Sequence, residues 1–393
     1  VGETNIVRIR FRSAREGPVA HDLRLREASR RCPKHMVYGP CGGVGADGGC
    51  ELPGIRCSFA AEPDLLAALA FSPADVAVPE SAVGSGDALP SAPRTAASSA
   101  FASRVARGAV ITADLPVRTV DPGVLAEAGG RLADLTAVVA GEPPGLRDAL
   151  SPTHKALVLA AAGATVVAGV TCRDRNRVAI EGELAALADV GVAGVLAVTG
   201  DHPASTALAQ AQPVFDLDST RVAALARRAG LFVAVAEQPA APPVAYRPAR
   251  LALKARAGAE LGILNLCGDV PEIARFTAAL AATDAPLPVI VSVPVLTSRS
   301  SARRLGALPG VALPPGIGEA AEAGGGDAGV EAAVAWALRA LAVPGVVGVH
   351  LSAVVDEGDP VGLSAVDAVV RTSGMLRARL AAAPPAMRTG TAA

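Results

Sequence analysis

Cys32, Cys41, Cys50 and Cys57 fall within 26 residues in the spacing C-x8-C-x8-C-x6-C. Nothing at the start of the chain reads as a signal peptide: Arg8, Arg10, Arg12 and Arg15 interrupt any apolar run. The expected compartment is the cytoplasm, where clustered thiols are metal ligands before they are disulfides. Zinc takes four thiolates in a tetrahedron, but its ribbons usually present CxxC knuckles, and this segment has none. Glycines beside Cys41 and Cys50 free backbone N–H groups to point at sulfur, which suits an iron–sulfur cluster. The reading is a [4Fe–4S] cluster, with zinc as the alternative. His35 lies inside the segment but is read as a neighbour, because four cysteines already complete a site.

A second set of reactive side chains follows short apolar runs. Asp114 ends one, and a polar stretch from Thr171 to Arg177 follows another. Thr199, Gly200, Asp201 and His202 follow a third; Glu237 and Gln238 follow a fourth. Asn265 interrupts an apolar run, and Lys254 lies on the helix-length stretch before it. Asp174 or Asn176 could instead cap the next helix, and Cys172 and Cys267 read as buried thiols.

What must position these residues is an alternation of strands and helices. Apolar runs at 109–113, 135–139, 165–170, 194–198, 231–236, 261–266, 288–293 and 346–351 read as strands. Helix-length stretches separate most of them, among them 177–190, 219–228, 248–257, 270–282 and 330–342. Eight strands so spaced fit a (β/α)8 TIM-type barrel; an open doubly wound sheet fits less well, since no GxGxxG follows the first strand. A barrel keeps its chemistry at the C-terminal ends of its strands, where the polar residues above fall.

The organisation read from composition is a cysteine-rich metal-binding domain over 1–72, a Pro/Ser/Ala-rich linker over 73–103, a barrel over 104–382 and a flexible tail over 383–393. Residues 61–72 read as a short helix, and 306–330, rich in Pro and Gly, as a long loop. Among 393 residues, 36 basic and 37 acidic side chains nearly cancel, which argues against a nucleic-acid binder. No apolar run reaches the roughly 18–20 residues of a membrane span.

The series TCRDRN, LAVTGDHP, PVFDLDS at 213–219 and LKARAGAELGILN at 253–265 resembles the methylenetetrahydrofolate reductase family over roughly residues 104–380. The resemblance implies a (β/α)8 barrel that usually holds a flavin, FAD or FMN, and reduces 5,10-methylenetetrahydrofolate to 5-methyltetrahydrofolate. It implies that Asp201 contacts the pterin and tunes the flavin, that Lys254 contacts the flavin phosphate, and that Asn265 stands for the family's folate-binding glutamine. Catalytic candidates are therefore Asp114 and Asp201. Substrate-binding candidates are Asp201, His202, Glu237 and Asn265, and cofactor-binding candidates are Thr171, Thr199, Gly200 and Lys254.

The chain also departs from the family. The family's first strand carries a glutamate three residues before a proline, the general acid that protonates the folate ring nitrogen and opens the five-membered ring. Aligned on Pro116, that position is Ala113, with Asp114 offset by one. An offset of one reverses facing in a regular strand, so Asp114 serves only if a bulge or the loop turns it back. The family's flavin-binding histidine is replaced at Gly169-Val170, and the arginine before the GD pair is Thr199. These changes leave open a flavin-poor reductase, a folate-using methyl or one-carbon transferase, and a non-catalytic folate-binding partner subunit. The pattern CPK…GPCGG…CE…C is similar to a cysteine-rich domain fused to or accompanying some bacterial members of the family. That likeness implies iron–sulfur chemistry and a protein partner, an electron donor or a methyltransferase.

Overall fold

The structure, a computed structural model, describes residues 23–77, 92–142, 150–206, 210–307, 311–355, 358–359 and 361–382. Runs of Val, Ile and Ala form eight strands: β1 (Val110–Asp114), β2 (Ala137–Ala140), β3 (Val166–Thr171), β4 (Gly194–Val198), β5 (Val233–Glu237), β6 (Leu261–Leu264), β7 (Val289–Val295) and β8 (Val346–Ala353). All neighbours pair in parallel and β8 closes onto β1, giving the (β/α)8 barrel that the alternation implied. The helices are α1 (Leu23–Arg31), α2 (Pro63–Ala67), α3 (Ala96–Arg107), α4 (Pro122–Arg131), α5 (Pro152–Ala161), α6 (Arg177–Val190), α7 (Ser219–Arg228), α8 (Arg247–Arg256), α9 (Val270–Ala281), α10 (Arg299–Gly306), α11 (Ile317–Leu341) and α12 (Leu363–Ala382).

Side chains alternate between the two faces of each strand. Ile111 and Ala113 enter the apolar layer between sheet and helices, while Val110 belongs to a plug inside the barrel. That plug is apolar at the N-terminal end, where α3 closes the cylinder. Phe101 of α3 meets Phe232 edge-on, with ring centroids 4.9 Å apart, a contact worth about 0.5–1.5 kcal/mol beyond its area. The Phe232 N–H donates to Ser98 Oγ at 3.0 Å. Toward the C-terminal end the inner face turns polar, with Thr112 on β1, Thr171 on β3, Ser292 on β7, and His350 and Ser352 on β8.

The stretch read as a linker contains a 3-10 turn at Pro73–Val76, closed by a capping box on Ser72, and the start of α3, capped by Thr95. Residues 78–91 of it, like residues 1–22 and the expected tail at 383–393, lie outside the described residues. Segment 306–330 is corrected: it is largely helix, because α11 begins at Ile317. The Glu-Ala-rich sequence before Gly324 has high helix propensity, and one glycine, Gly329, serves packing. A Cβ on Gly329 would lie 1.9 Å from the Leu296 carbonyl oxygen, so the helix reaches the end of β7 only through a glycine. Gly325, at φ 68°, marks a kink. No helix among the described residues is long and apolar enough to cross a membrane.

The cysteine segment is fastened to the barrel. Its small core of Leu25, Met36, Tyr38, Phe59 and Leu65 packs on Leu253 of α8. The buried Arg247 guanidinium donates to the carbonyls of Pro40 and Cys41 at 3.1 and 3.0 Å.

Candidate active site

A cavity of about 410 Å³ opens at the C-terminal end of the barrel, the end at which such barrels carry their active sites. Asp114, Thr171, Ser292 and His350 line it from strands β1, β3, β7 and β8. Gly200, Asp201 and Asn265 enter from loops, and Lys34, Cys41 and Gly43 of the cysteine segment form one side.

Asp114 reaches the cavity without a bulge. The β1 register with β2 and β8 is regular, and plain alternation turns Thr112 and Asp114 inward and Ala113 outward. The one-residue offset therefore does not face it away. Asp114 Oδ1 is 3.1 Å from His350 Nε2, and its Oδ2 accepts from the Ser352 hydroxyl at 2.9 Å. Desolvation alone would raise its pKa; His350 and Ser352 outweigh that and hold it below the usual aspartate value.

Gly200 turns the chain at φ 87°, and a Cβ there would lie 3.2 Å from the Cβ atoms of both Thr171 and Arg173. The turn leaves Asp201 exposed on the cavity rim. Lys34 faces it: burial would lower the lysine's pKa, but the charges of Cys41, Glu51 and Asp201 hold it raised. His202 goes elsewhere. Its Nδ1 accepts from the Ala204 N–H at 3.1 Å, its ring stacks on Phe215, and it does not line the cavity. Burial lowers its pKa. Thr199 Oγ1 accepts from the Ser219 N–H at 3.2 Å, and the Thr171 hydroxyl donates to Glu142 at 3.0 Å. Asn176 caps α6, accepting from the Ala179 N–H.

Glu237 ends β5 beneath the cavity, fully buried among Arg250, Lys254 and Arg247 at 2.7, 3.2 and 3.3 Å. Burial would raise its pKa, but the three cations hold it well below the carboxylate range. Lys254 Nζ donates to Glu237 and to the Ala236 carbonyl, so as placed it turns inward and is committed to protein. Desolvation, then Arg250, pushes its pKa down to about 8. Asn265 is exposed on the cavity wall, and its backbone N–H donates to the Glu237 carbonyl at 2.9 Å.

Three residues outside the set of site candidates complete the lining: Gln238, Ser292 and His350. The Gln238 side chain is buried against the cavity, and neither its Oε1 nor its Nε2 has a partner among the described residues. Ser292 Oγ on β7 is likewise unpartnered. His350 pairs in register with Ser292 and Thr112, and Nδ1 lies 2.9 Å from Thr112 Oγ1.

The four clustered cysteines line one second, small cavity, and Cys41 borders both cavities. All are free thiols, and burial pushes Cys32 up to about 11 and raises Cys50 and Cys57. Among the described residues no three His, Cys, Asp or Glu side chains are placed to hold a metal ion, so neither the zinc nor the [4Fe–4S] expectation gains support from this arrangement. Cys172 and Cys267 are buried core thiols.

Comparison with known proteins adds one informative match. Tryptophan synthase from M. tuberculosis resembles the chain at a TM-score of 0.43 and 14% identity, covering 73% of this chain and 98% of that one. The trigonal form of 2,3-dimethylmalate lyase does so at 0.43 and 13%, covering 75% and 88%. Likeness this weak says nothing about chemistry. No curated protein matches. A family model described as methylenetetrahydrofolate reductase matches residues 131–360, from the end of α4 through β8. That match covers more than half of the chain and the strands that build most of the cavity: the chain belongs to the methylenetetrahydrofolate reductase family.

Proposed function

We propose that the protein is a folate-dependent one-carbon oxidoreductase that reduces the methylene group of 5,10-methylenetetrahydrofolate to methyl. Family membership supports the reaction class. The observation that carries the substrate reading is the buried Gln238 side chain on the cavity lining, neither of whose amide atoms has a partner among the described residues. Buried polar groups need partners, and a pterin edge offers an acceptor and donors side by side. Asp201 on the rim is proposed to hold the pterin by a charge-assisted hydrogen bond, with Asn265 on the wall after β6 and Asp114 serving the ring nitrogen that must be protonated.

The groups that the resemblance assigns to a flavin are committed to protein partners: Lys254 to Glu237, Thr171 to Glu142, Thr199 to the Ser219 N–H. They do not fit a flavin phosphate as placed, and no step here runs through one. For the cysteine cavity we propose the iron–sulfur option. An all-sulfur donor set suits such a cluster, and a cluster spreads its ligands wider than one ion does. It would be held by Cys32, Cys41, Cys50 and Cys57 and would supply electrons, with Cys41 bordering both cavities. The partner is then an electron-donor protein.

Calorimetric titration with tetrahydrofolate and 5,10-methylenetetrahydrofolate tests the substrate, and chromatography for 5-methyltetrahydrofolate, with NADH, NADPH or reduced FMN as hydride source, tests the reaction. Tight binding with conversion is expected. Binding without conversion would shift the reading to a transferase, and failure to bind any folate would end it. Iron and acid-labile sulfide in the purified protein are expected; their absence after anaerobic purification overturns the cluster.

A further inference from the structure

The floor of the active-site cavity carries more charge than the proposed reaction uses. Glu237, Arg250 and Lys254 line it, and Arg247 reaches Glu237 at 3.3 Å. All four side chains are buried, three cations around one carboxylate. We infer that Glu237 is a specificity-determining residue: its carboxylate fills, from within the chain, a site whose donors suit a phosphate, and so keeps phosphate-bearing ligands off the cavity floor. The inference goes beyond the folate reading and does not depend on it.

Three observations carry it. The first is the donor set. Glu237 Oε2 accepts from Arg250 Nη1 at 2.7 Å and from Lys254 Nζ at 3.2 Å; Oε1 accepts from Arg247 Nη1 at 3.3 Å and from the Gln238 backbone N–H at 3.1 Å. Guanidinium, ammonium and backbone N–H groups converging on one point are the donors that proteins use for phosphate. The second is a donor left over: Arg250 Nε is buried with no partner among the described residues. A carboxylate has only two oxygens to offer, whereas a phosphate brings more. The third is that the device recurs. Glu142, just after β2, also lines the cavity, and it accepts from the Thr171 N–H at 2.9 Å, the Thr171 hydroxyl at 3.0 Å and Arg175 Nη1 at 2.9 Å. At both places an internal carboxylate meets the donors that an anionic ligand would need.

Removing the carboxylate would leave the donors in place. Arg247 is fixed by four carbonyls: Nε donates to Ala241 at 2.7 Å, Nη2 to Pro242 at 2.6 Å, and Nη1 to Pro40 and Cys41 at 3.1 and 3.0 Å. Arg250 and Lys254 lie one turn apart on the same face of α8, so both stay aimed at the emptied position. Because Glu237 itself lines the cavity, the space it vacates is continuous with the cavity. Buried cations without an anion are costly, so an anion from solution should take that space.

The test is titration with inorganic phosphate, read by calorimetry and by the thermal midpoint, against chloride of matched ionic strength. Wild type should show no phosphate site at the floor. Glu237→Ala should start from a lower midpoint and gain one phosphate site. Its midpoint should recover by about 5 °C once phosphate reaches about 100 times its dissociation constant. Adding Lys254→Met to that variant should weaken phosphate binding by about tenfold. An ion-pair network that serves stability alone predicts the lower midpoint without the new site, so a folded Glu237→Ala that gains no phosphate site overturns the inference. A wild type that binds phosphate at a site lost in Arg250→Met overturns it as well, because the cations then have room for an outside anion. Should Glu237→Ala not fold, Glu237→Ala/Lys254→Met, with one buried cation fewer, carries the same titration, and the wild-type measurement stands without either. No folate enters these titrations, so their failure leaves the folate reading standing.

Discussion

Lys34 and Glu51 form a buried ion pair of 2.6 Å, and the second oxygen of Glu51 accepts the His202 backbone N–H at 2.6 Å on the barrel rim. One carboxylate thus ties two turns of the cysteine segment to the loop that carries Asp201. Replacing Glu51 with Ala leaves Lys34 buried without its partner, a change that typically costs about 3–5 kcal/mol. The expected outcome is a lower thermal midpoint and faster proteolysis within residues 23–77. A variant as resistant as wild type would detach this pair from docking.

Gln238 gives a different signature. Its two amide atoms find no partner among the described residues, and an unmet buried polar group costs about 1–3 kcal/mol. Gln238→Leu should leave the midpoint of urea unfolding unchanged or higher. Folate affinity should fall by about 1–3 kcal/mol, the value of the hydrogen bonds a ligand would have supplied. Equal loss of stability and affinity would mark Gln238 as structural.

Glu237 and Lys254 both make stability rise with pH, but in separate windows. Glu237 is held below its open-chain value of 4.5, so its contribution is complete above that pH and is lost as pH falls below it. Glu237→Gln leaves three buried cations together and should destabilise strongly. Lys254 titrates at about 8 in the fold against 10.5 in the open chain. Below about 8 both states are protonated and the fold carries the burial penalty; between the two values the unfolded chain holds the extra proton, so stability rises with pH. Lys254→Met should abolish that rise in urea midpoints between pH 8 and 10, and at pH 7 should cost far less than Glu237→Gln. A rise that persists in Lys254→Met would assign it elsewhere.

Much of this was legible before any coordinates, and the failures have physical causes. The strand at 194–198 and the helices at 177–190 and 219–228 fall where periodicity put them, because flanking glycines and the caps Asn176 and Asp218 mark their ends. Segment 306–330 misled because its glycines look like loop, whereas one of them admits a helix against β7. Alignment on Pro116 misplaced the facing of Asp114; alternation from Val110 within β1 would have turned it inward. The motif places His202 beside Asp201, but its ring is taken up by a local cap on Ala204 and by the tertiary stack on Phe215. His350 escaped notice as a single polar residue in an apolar run. Its signal was period-two spacing with Gly348 and Ser352, which puts all three on the inner face.

Gly200 offers the last test, because the site depends on its backbone. At φ 87° a non-glycine residue is strained, at a typical cost of about 1–3 kcal/mol. An added Cβ would also press on Thr171 and Arg173 at 3.2 Å, tighter than ordinary contact. The loop can relieve both only by moving, and Asp201 is the next residue. Gly200→Ala should therefore lower folate affinity more than Asn265→Ala does, although Gly200 offers no side chain to a ligand. The comparison is made by titration at one pH with both variants folded by circular dichroism. If Gly200→Ala binds folate as wild type does, the position of Asp201 is not set by this turn, and its place at the pterin has to be held from the Lys34 side.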